Sequence, residues 1–266
     1  MSNLALRIIT AVLLLPIVIY ALWAGGIYLL ALLALVSLFC SIEIARIVSP
    51  GNTIILILAV LFWALLFCAT TITTYVSHSI IFIALLLFIN NLVFLFNNDI
   101  DAQFLERIST VFYFIFYIII GMSCFFWLSL ENIHLVFLAC AVTWANDSCA
   151  YFGGRAFGKH PLFKSVSAKK TWEGFISGAL GSALIIWLLA LFIPHNLGTA
   201  DFVWVIIPSM ILAPCGDLIE SRLKRIYHTK DASNILPGHG GLLDRIDALL
   251  LVIPWTAAYA FFIRPL

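Results

Sequence analysis

Residues 221–247, SRLKRIYHTKDASNILPGHGGLLDRID, form the longest polar run in an otherwise apolar chain. Arg222, Lys224, Arg225, Lys230 and Arg245 alternate there with Asp231, Asp244 and Asp247, around Pro237-Gly238-His239-Gly240-Gly241. Glycines let backbone N–H groups approach a ligand closely. Cations, carboxylates and a glycine turn together suit a site for phosphate and metal. His239 reads equally as a donor in a ligand loop or as a turn residue. Just upstream, Asp217, Glu220, Ser221 and Lys224 recur at i, i+3, i+4 and i+7 and so share one helix face. Asp217 still lies inside an apolar run, which argues against a merely solvated face. Asp244 and Asp247 have the spacing of a helix cap, but capping explains only one of them.

Composition sets the class. Hydrophobic residues make up 64% of the 266 and charged residues 10%, far from a soluble balance. The expected fold is an all-α polytopic membrane bundle, a single integral-membrane domain. Residues 1–130 are mainly hydrophobic spans and 131–266 carry the chemistry. The six cysteines form no CxxC pair and read as small packing residues. The first 25 residues mimic a signal peptide, but the spans that follow favour an uncleaved first helix. Nucleic acid is not an expected partner.

A span needs about 20 mostly apolar residues. On that measure there are about nine: 6–23, 27–46, 53–70, 79–96, 109–128, 133–152, 174–193, 202–222 and 246–263. Arg46, Arg107, Arg155, Lys159, Lys164, Lys169, Lys170, Arg222, Lys224, Arg225, Lys230, Arg245 and Arg264 are assigned to one face. The positive-inside rule makes that face cytoplasmic. This reading puts the amino terminus outside and the carboxyl terminus inside, with Arg7 as its one exception.

The second polar loop is 153–173. Asp147 precedes it, within an apolar run, where an ionisable residue marks function by default. Tyr151 follows one turn later on the same face. Gly153 to Lys159 is a glycine-and-cation turn and a weak phosphate signal alone. Lys169-Lys170, followed by a Thr171-Trp172-Glu173 helix start, can grip phosphate with help from the helix amino end.

These residues resemble the membrane-bound phosphatidate cytidylyltransferases (CDP-diacylglycerol synthases). Ser221, Lys224-Arg225, Lys230-Asp231, His239-Gly240-Gly241 and Asp244-Arg245-Ile246-Asp247 fill that family's signature. Asp147, Ala150, Tyr151, Gly158, Lys159, Ser167, Lys169, Lys170, Thr171, Glu173 and Gly174 match a second family segment, with Ala168 where the family usually has proline. The resemblance implies transfer of CMP from CTP to phosphatidate, giving CDP-diacylglycerol and pyrophosphate. It implies Asp217 and Asp244 as Mg²⁺ ligands, with a second cation left open. Lys224, Arg225, Lys230 and Arg245 would neutralise phosphates, and Lys169 and Lys170 would hold CTP phosphates or the lipid head group. Asp231, His239 and Asp247 would orient these groups. Asp147, Tyr151, Lys159, Ser167, Thr171, Glu173 and Ser221 complete the expected substrate contacts. A homodimer in the bacterial inner membrane, surrounded by its lipids, is also implied. The alternatives are a CTP-dependent enzyme acting on another lipid phosphate or polyprenol, and a transporter. A transporter would spread polar residues to mid-bilayer rather than gather them at one face.

Overall fold

The computed structural model describes residues 3–71, 102–192, 197–229, 232–233, 235 and 240–264. The apolar run 79–96 and the expected site residues Lys230, Asp231 and His239 lie outside them. The helices are α1 (Asn3–Ala24), α2 (Gly26–Val48), α3 (Thr53–Thr71), α4 (Ala102–Glu131), α5 (Ile133–Phe157), α6 (Trp172–Phe192), α7 (Thr199–Ile226), α8 (Leu243–Ile246) and α9 (Leu249–Phe262). Among the described residues, α2, α4, α5, α6 and α7 have the length and composition to cross a bilayer, and α1, α3 and α9 carry shorter apolar stretches. Large apolar side chains point outward along these helices; Phe192 is 82% exposed. Exposure on this scale fits lipid rather than water as the solvent. The chain is a helical integral-membrane protein.

The all-α expectation misses one element. Part of the 153–173 loop folds as an antiparallel ribbon of β1 (Pro161–Phe163) and β2 (Ser167–Thr171), pairing Pro161 with Thr171 and Phe163 with Ser167.

Two compact units form, one from residues 1–123 and 231–243, the other from 124–230 and 244–266. In the first unit, Asn52 caps α3 by accepting the Ile55 N–H at 3.1 Å. The Trp63 indole donates to Ser37 Oγ of α2 at 2.9 Å. Phe62 of α3 stacks on Phe112 of α4 at 4.4 Å.

In the second unit, α5 packs against α6, α7 and α9. Gly174, Gly178, Ser182 and Ile186 form the buried stripe of α6, one residue every four. Small residues at that spacing let two helix backbones approach without a hydrophobic driving force. A Cβ at Gly178 would lie 3.0 Å from both Ala150 Cβ and the Asn146 carbonyl oxygen. Gly178→Val is therefore expected to cost about 1–3 kcal/mol by overpacking. Thermal unfolding in detergent checks this against Leu180→Val, since Leu180 is exposed on the same helix.

α7 contains Pro208, which has no N–H and so frees the carbonyl of Trp204 one turn back. The Trp255 indole of α9 donates to that carbonyl at 2.8 Å. The first turn of α7 is fastened to the end of α9. Buried Asp201 accepts Tyr259 Oη at 2.8 Å and Arg264 Nε at 2.9 Å, and also takes the Gly198 N–H at 2.8 Å. This contact corrects the placement of Arg264. α7 and α9 run antiparallel, with Lys224 and Asp244 meeting at one end and Asp201 and Arg264 at the other. Arg264 thus lies at the end opposite the polar loops, and does not belong with the loop cations.

Candidate active site

The ribbon is held at its base by Glu173, on the first turn of α6. Its carboxylate accepts the backbone N–H groups of Lys159 at 3.0 Å and His160 at 3.2 Å, and meets His160 Nδ1 at 2.5 Å. Thr171 Oγ1 caps the same helix by accepting the Gly174 N–H at 3.1 Å. Thr171 and Glu173, both expected substrate contacts, also shape the loop. At the tip, Val166 is buried and its carbonyl accepts Arg225 Nε from α7 at 3.3 Å. Arg225 thereby ties the ribbon to the helix that carries most of the charged stripe.

Adjacent residues of a strand point to opposite faces. Lys170 turns towards α7, where Nζ meets Asp217 Oδ2 at 2.5 Å, while Lys169 is exposed. Asp217 Oδ1 also accepts the Ser221 hydroxyl at 3.1 Å, one turn along. The second focus is Lys224, nearly buried in the last turn of α7. Its Nζ lies 2.5 Å from Asp244 Oδ1 and 3.1 Å from Glu220 Oε1. The stripe read from the sequence is present, its members paired as i, i+4 neighbours.

Asp247 completes the cluster. Gly216 permits this, because a Cβ there would lie 2.8 Å from Ala248 Cα. The Asp247 carboxylate accepts the Ala248 N–H at 2.7 Å. Burial pushes its carboxyl up to about 7, and the negative charges of Asp217 and Asp147 add to that rise. Asp147 also feels Lys170, so the end of α5 joins the same electrostatic neighbourhood. The network holds five carboxylates, Asp147, Asp217, Glu220, Asp244 and Asp247, with the ammonium groups of Lys170 and Lys224 among them.

Tyr151, Lys159 and Arg245 are exposed, and Ser167 is half-buried in β2. Sequence reasoning passed over Glu43 of α2, a wholly buried carboxylate. The available signal was an acidic residue inside an apolar span.

The donor set is hard oxygen, the kind Mg²⁺ and Ca²⁺ prefer. Among the described residues no three His, Cys, Asp or Glu side chains converge as a ready-made cage. Mg²⁺ commonly takes one or two carboxylates and completes its shell with water and substrate phosphates. The residues fit a divalent cation.

The family model described as the cytidylyltransferase family matches residues 5–263. Among curated proteins, the chain is 39% identical over 138 residues to a phosphatidate cytidylyltransferase of Staphylococcus haemolyticus, covering 52% of this chain and 53% of the relative. It is 41% identical over 150 residues to the Bacillus subtilis protein of the same name, with the same shares. The matched stretch thus spans about half the length of these curated relatives. With the family model matching nearly from end to end, the chain belongs to the cytidylyltransferase family.

Proposed function

We propose that this protein transfers CMP from CTP to phosphatidate, releasing pyrophosphate and leaving CDP-diacylglycerol in the membrane. The observation that carries this reading is the meeting of two polar segments, the 161–171 ribbon and the charged end of α7, through the Lys170–Asp217 pair, with Asp244 joined to the same helix through Lys224. The reaction brings an anionic lipid phosphate onto the α-phosphorus of an anionic nucleotide. The attacking oxygen is already ionised and no general base is required. Catalysis is then chiefly positioning and electrostatic stabilisation.

In this reading Lys170 and Lys224 hold carboxylates in the resting protein and turn to phosphate oxygens when substrate enters. Lys169, exposed on the ribbon, meets the nucleotide from the solvent side. Arg225 keeps the ribbon seated on α7, and Arg245 adds a planar donor suited to phosphate. Asp217 and Asp244 would hold Mg²⁺, with a second cation as the finer possibility. The metal would supply charge neutralisation for the phosphates and for pyrophosphate as it departs. Lys230, Asp231 and His239 belong to the same segment and are proposed to contact phosphate and orient it.

We further propose about nine spans, with the polar loops facing the cytoplasm of a bacterial inner membrane. In such a chain the connections after even-numbered spans lie on the side of the amino terminus. The amino terminus is then cytoplasmic, which reverses the orientation read from sequence. Arg7 joins the other loop cations, and Arg264, at the far end of α7, becomes the single cation opposite. A homodimer remains part of the proposal on family grounds.

The test is an assay on purified protein in mixed micelles, with CTP labelled either in its cytidine or at the γ-phosphate. Cytidine label entering lipid only when phosphatidate and Mg²⁺ are present supports the reading. Transfer of γ-phosphate to a lipid alcohol would overturn it in favour of a CTP-dependent lipid kinase.

A further inference from the structure

Glu43 lies on α2 with its carboxylate wholly buried. A charge in that position is costly unless its lone pairs are filled. Among the described residues, the donors it receives come from one distant segment. Oε1 accepts the Leu242 N–H at 2.9 Å and the Ser233 hydroxyl, and Oε2 accepts the Leu243 N–H at 2.8 Å. Ser233 Oγ in turn accepts the Ile235 N–H at 3.1 Å, folding the chain back at that point. Among the described residues no Lys, Arg or His lies within ion-pair distance of Glu43. Among the described residues its oxygens are met by the N–H and O–H dipoles of that segment, and charge-assisted bonds of this kind are stronger than neutral ones.

The geometry matters more than the bond count. Ser233 and Leu242 are the two ends of a loop, and one carboxylate oxygen grips both. Holding Ser233 and Leu242 on one oxygen restricts where the two ends of the segment can lie. Gly240, near the second end, sits at φ +86, where a side chain would be strained. The Leu243 amide gripped by the other oxygen belongs to the residue immediately before Asp244.

We propose that Glu43 is a positioning residue for cytidylyl transfer, holding Ser233, Leu242 and Leu243 from α2 and so fixing the stretch of chain that leads into Asp244. This rests on the function proposed above. Glu43 touches no reacting atom and acts through the loop backbone.

The test uses the full chain and the variants Glu43→Ala, Glu43→Gln and Ser233→Ala. Glu43→Gln keeps the shape and one carbonyl, but sets an NH₂ against the Leu243 N–H. Hydrogen exchange of peptides covering 232–243 is expected to accelerate ~10- to 100-fold in Glu43→Ala, and less in Glu43→Gln, while α5 and α7 exchange at the parental rate. Ser233→Ala should loosen the early part of the loop only. In the cytidylyl-transfer assay kcat should fall ~10-fold or more, with the variants ranked as in exchange. Parental exchange in 232–243 would overturn the proposal, and so would uniform acceleration throughout the protein, which marks a merely structural residue. If Glu43→Ala does not fold, the shape-preserving Glu43→Gln decides by the same readouts. Should the parent protein fail to transfer CMP, the exchange result still reports whether Glu43 holds the loop, so the two readings fail separately.

Discussion

On the function proposed above, Asp217→Asn and Asp244→Asn are each expected to lower CMP transfer by roughly a thousandfold, because each removes a charge that the proposed divalent cation would need. The two losses differ in their local setting. Asp217 is bound to Lys170 at the ribbon and to Ser221 within its own helix, and its side chain is 37% exposed. Asparagine there can still accept the Ser221 hydroxyl, so little folding stability is lost. Asp244 is paired with Lys224 at 2.5 Å and is more enclosed. Both variants should purify as folded protein with unchanged detergent elution; Asp217→Asn should keep a near-parental unfolding temperature, and Asp244→Asn should lose part of it, limited because Lys224 keeps Glu220. Steady-state rates measured across a Mg²⁺ titration provide the check. Near-parental turnover in either variant, at any Mg²⁺ concentration, would remove that residue from the metal assignment.

Lys224→Met should act on folding as well as on turnover. The lysine is almost buried, beside a Glu220 that is more buried still, and Asp244 lies on its other side. Methionine fills a similar volume but leaves these carboxylates without their ammonium. Breaking one side of a buried pair typically costs about 3–5 kcal/mol, because the remaining charge is stranded. Denaturant or thermal unfolding should show this loss directly. Adding Glu220→Gln to Lys224→Met should restore part of it, since the stranded charge is then removed. Stability of Lys224→Met within about 1 kcal/mol of the parent would mean the pair contributes little to folding.

The helices were legible because lipid imposes one rule on every span: apolar side chains over a fixed length. Each apolar run read from the sequence and covered by the structure lies on a helix. The charged stripe of α7 was legible for a similar reason, since its i, i+4 partners are close in sequence. Local rules failed elsewhere. The Ser167–Thr171 strand has no alternation of apolar and polar residues, and its partner is three residues long, so no periodic signal marked the ribbon. Glu43 finds its donors up to 200 residues later in the chain, and nothing near it announces them. Arg264 was misplaced because a cation by itself does not say which membrane surface it occupies; its pairing with Asp201 does. The candidate site was half legible. Residue types and segments were readable, but which lysine meets which carboxylate depends on how the ribbon and α7 pack.

The ribbon bears on how mutational scans of this protein should be interpreted. Lys169 and Lys170 form one word in the sequence but occupy two addresses in space, one facing water and the other a carboxylate. A library that changes the dipeptide as a block merges two separate phenotypes. Single-codon changes would resolve them: at 169 a deficit that extra nucleotide can compensate, at 170 one that it cannot.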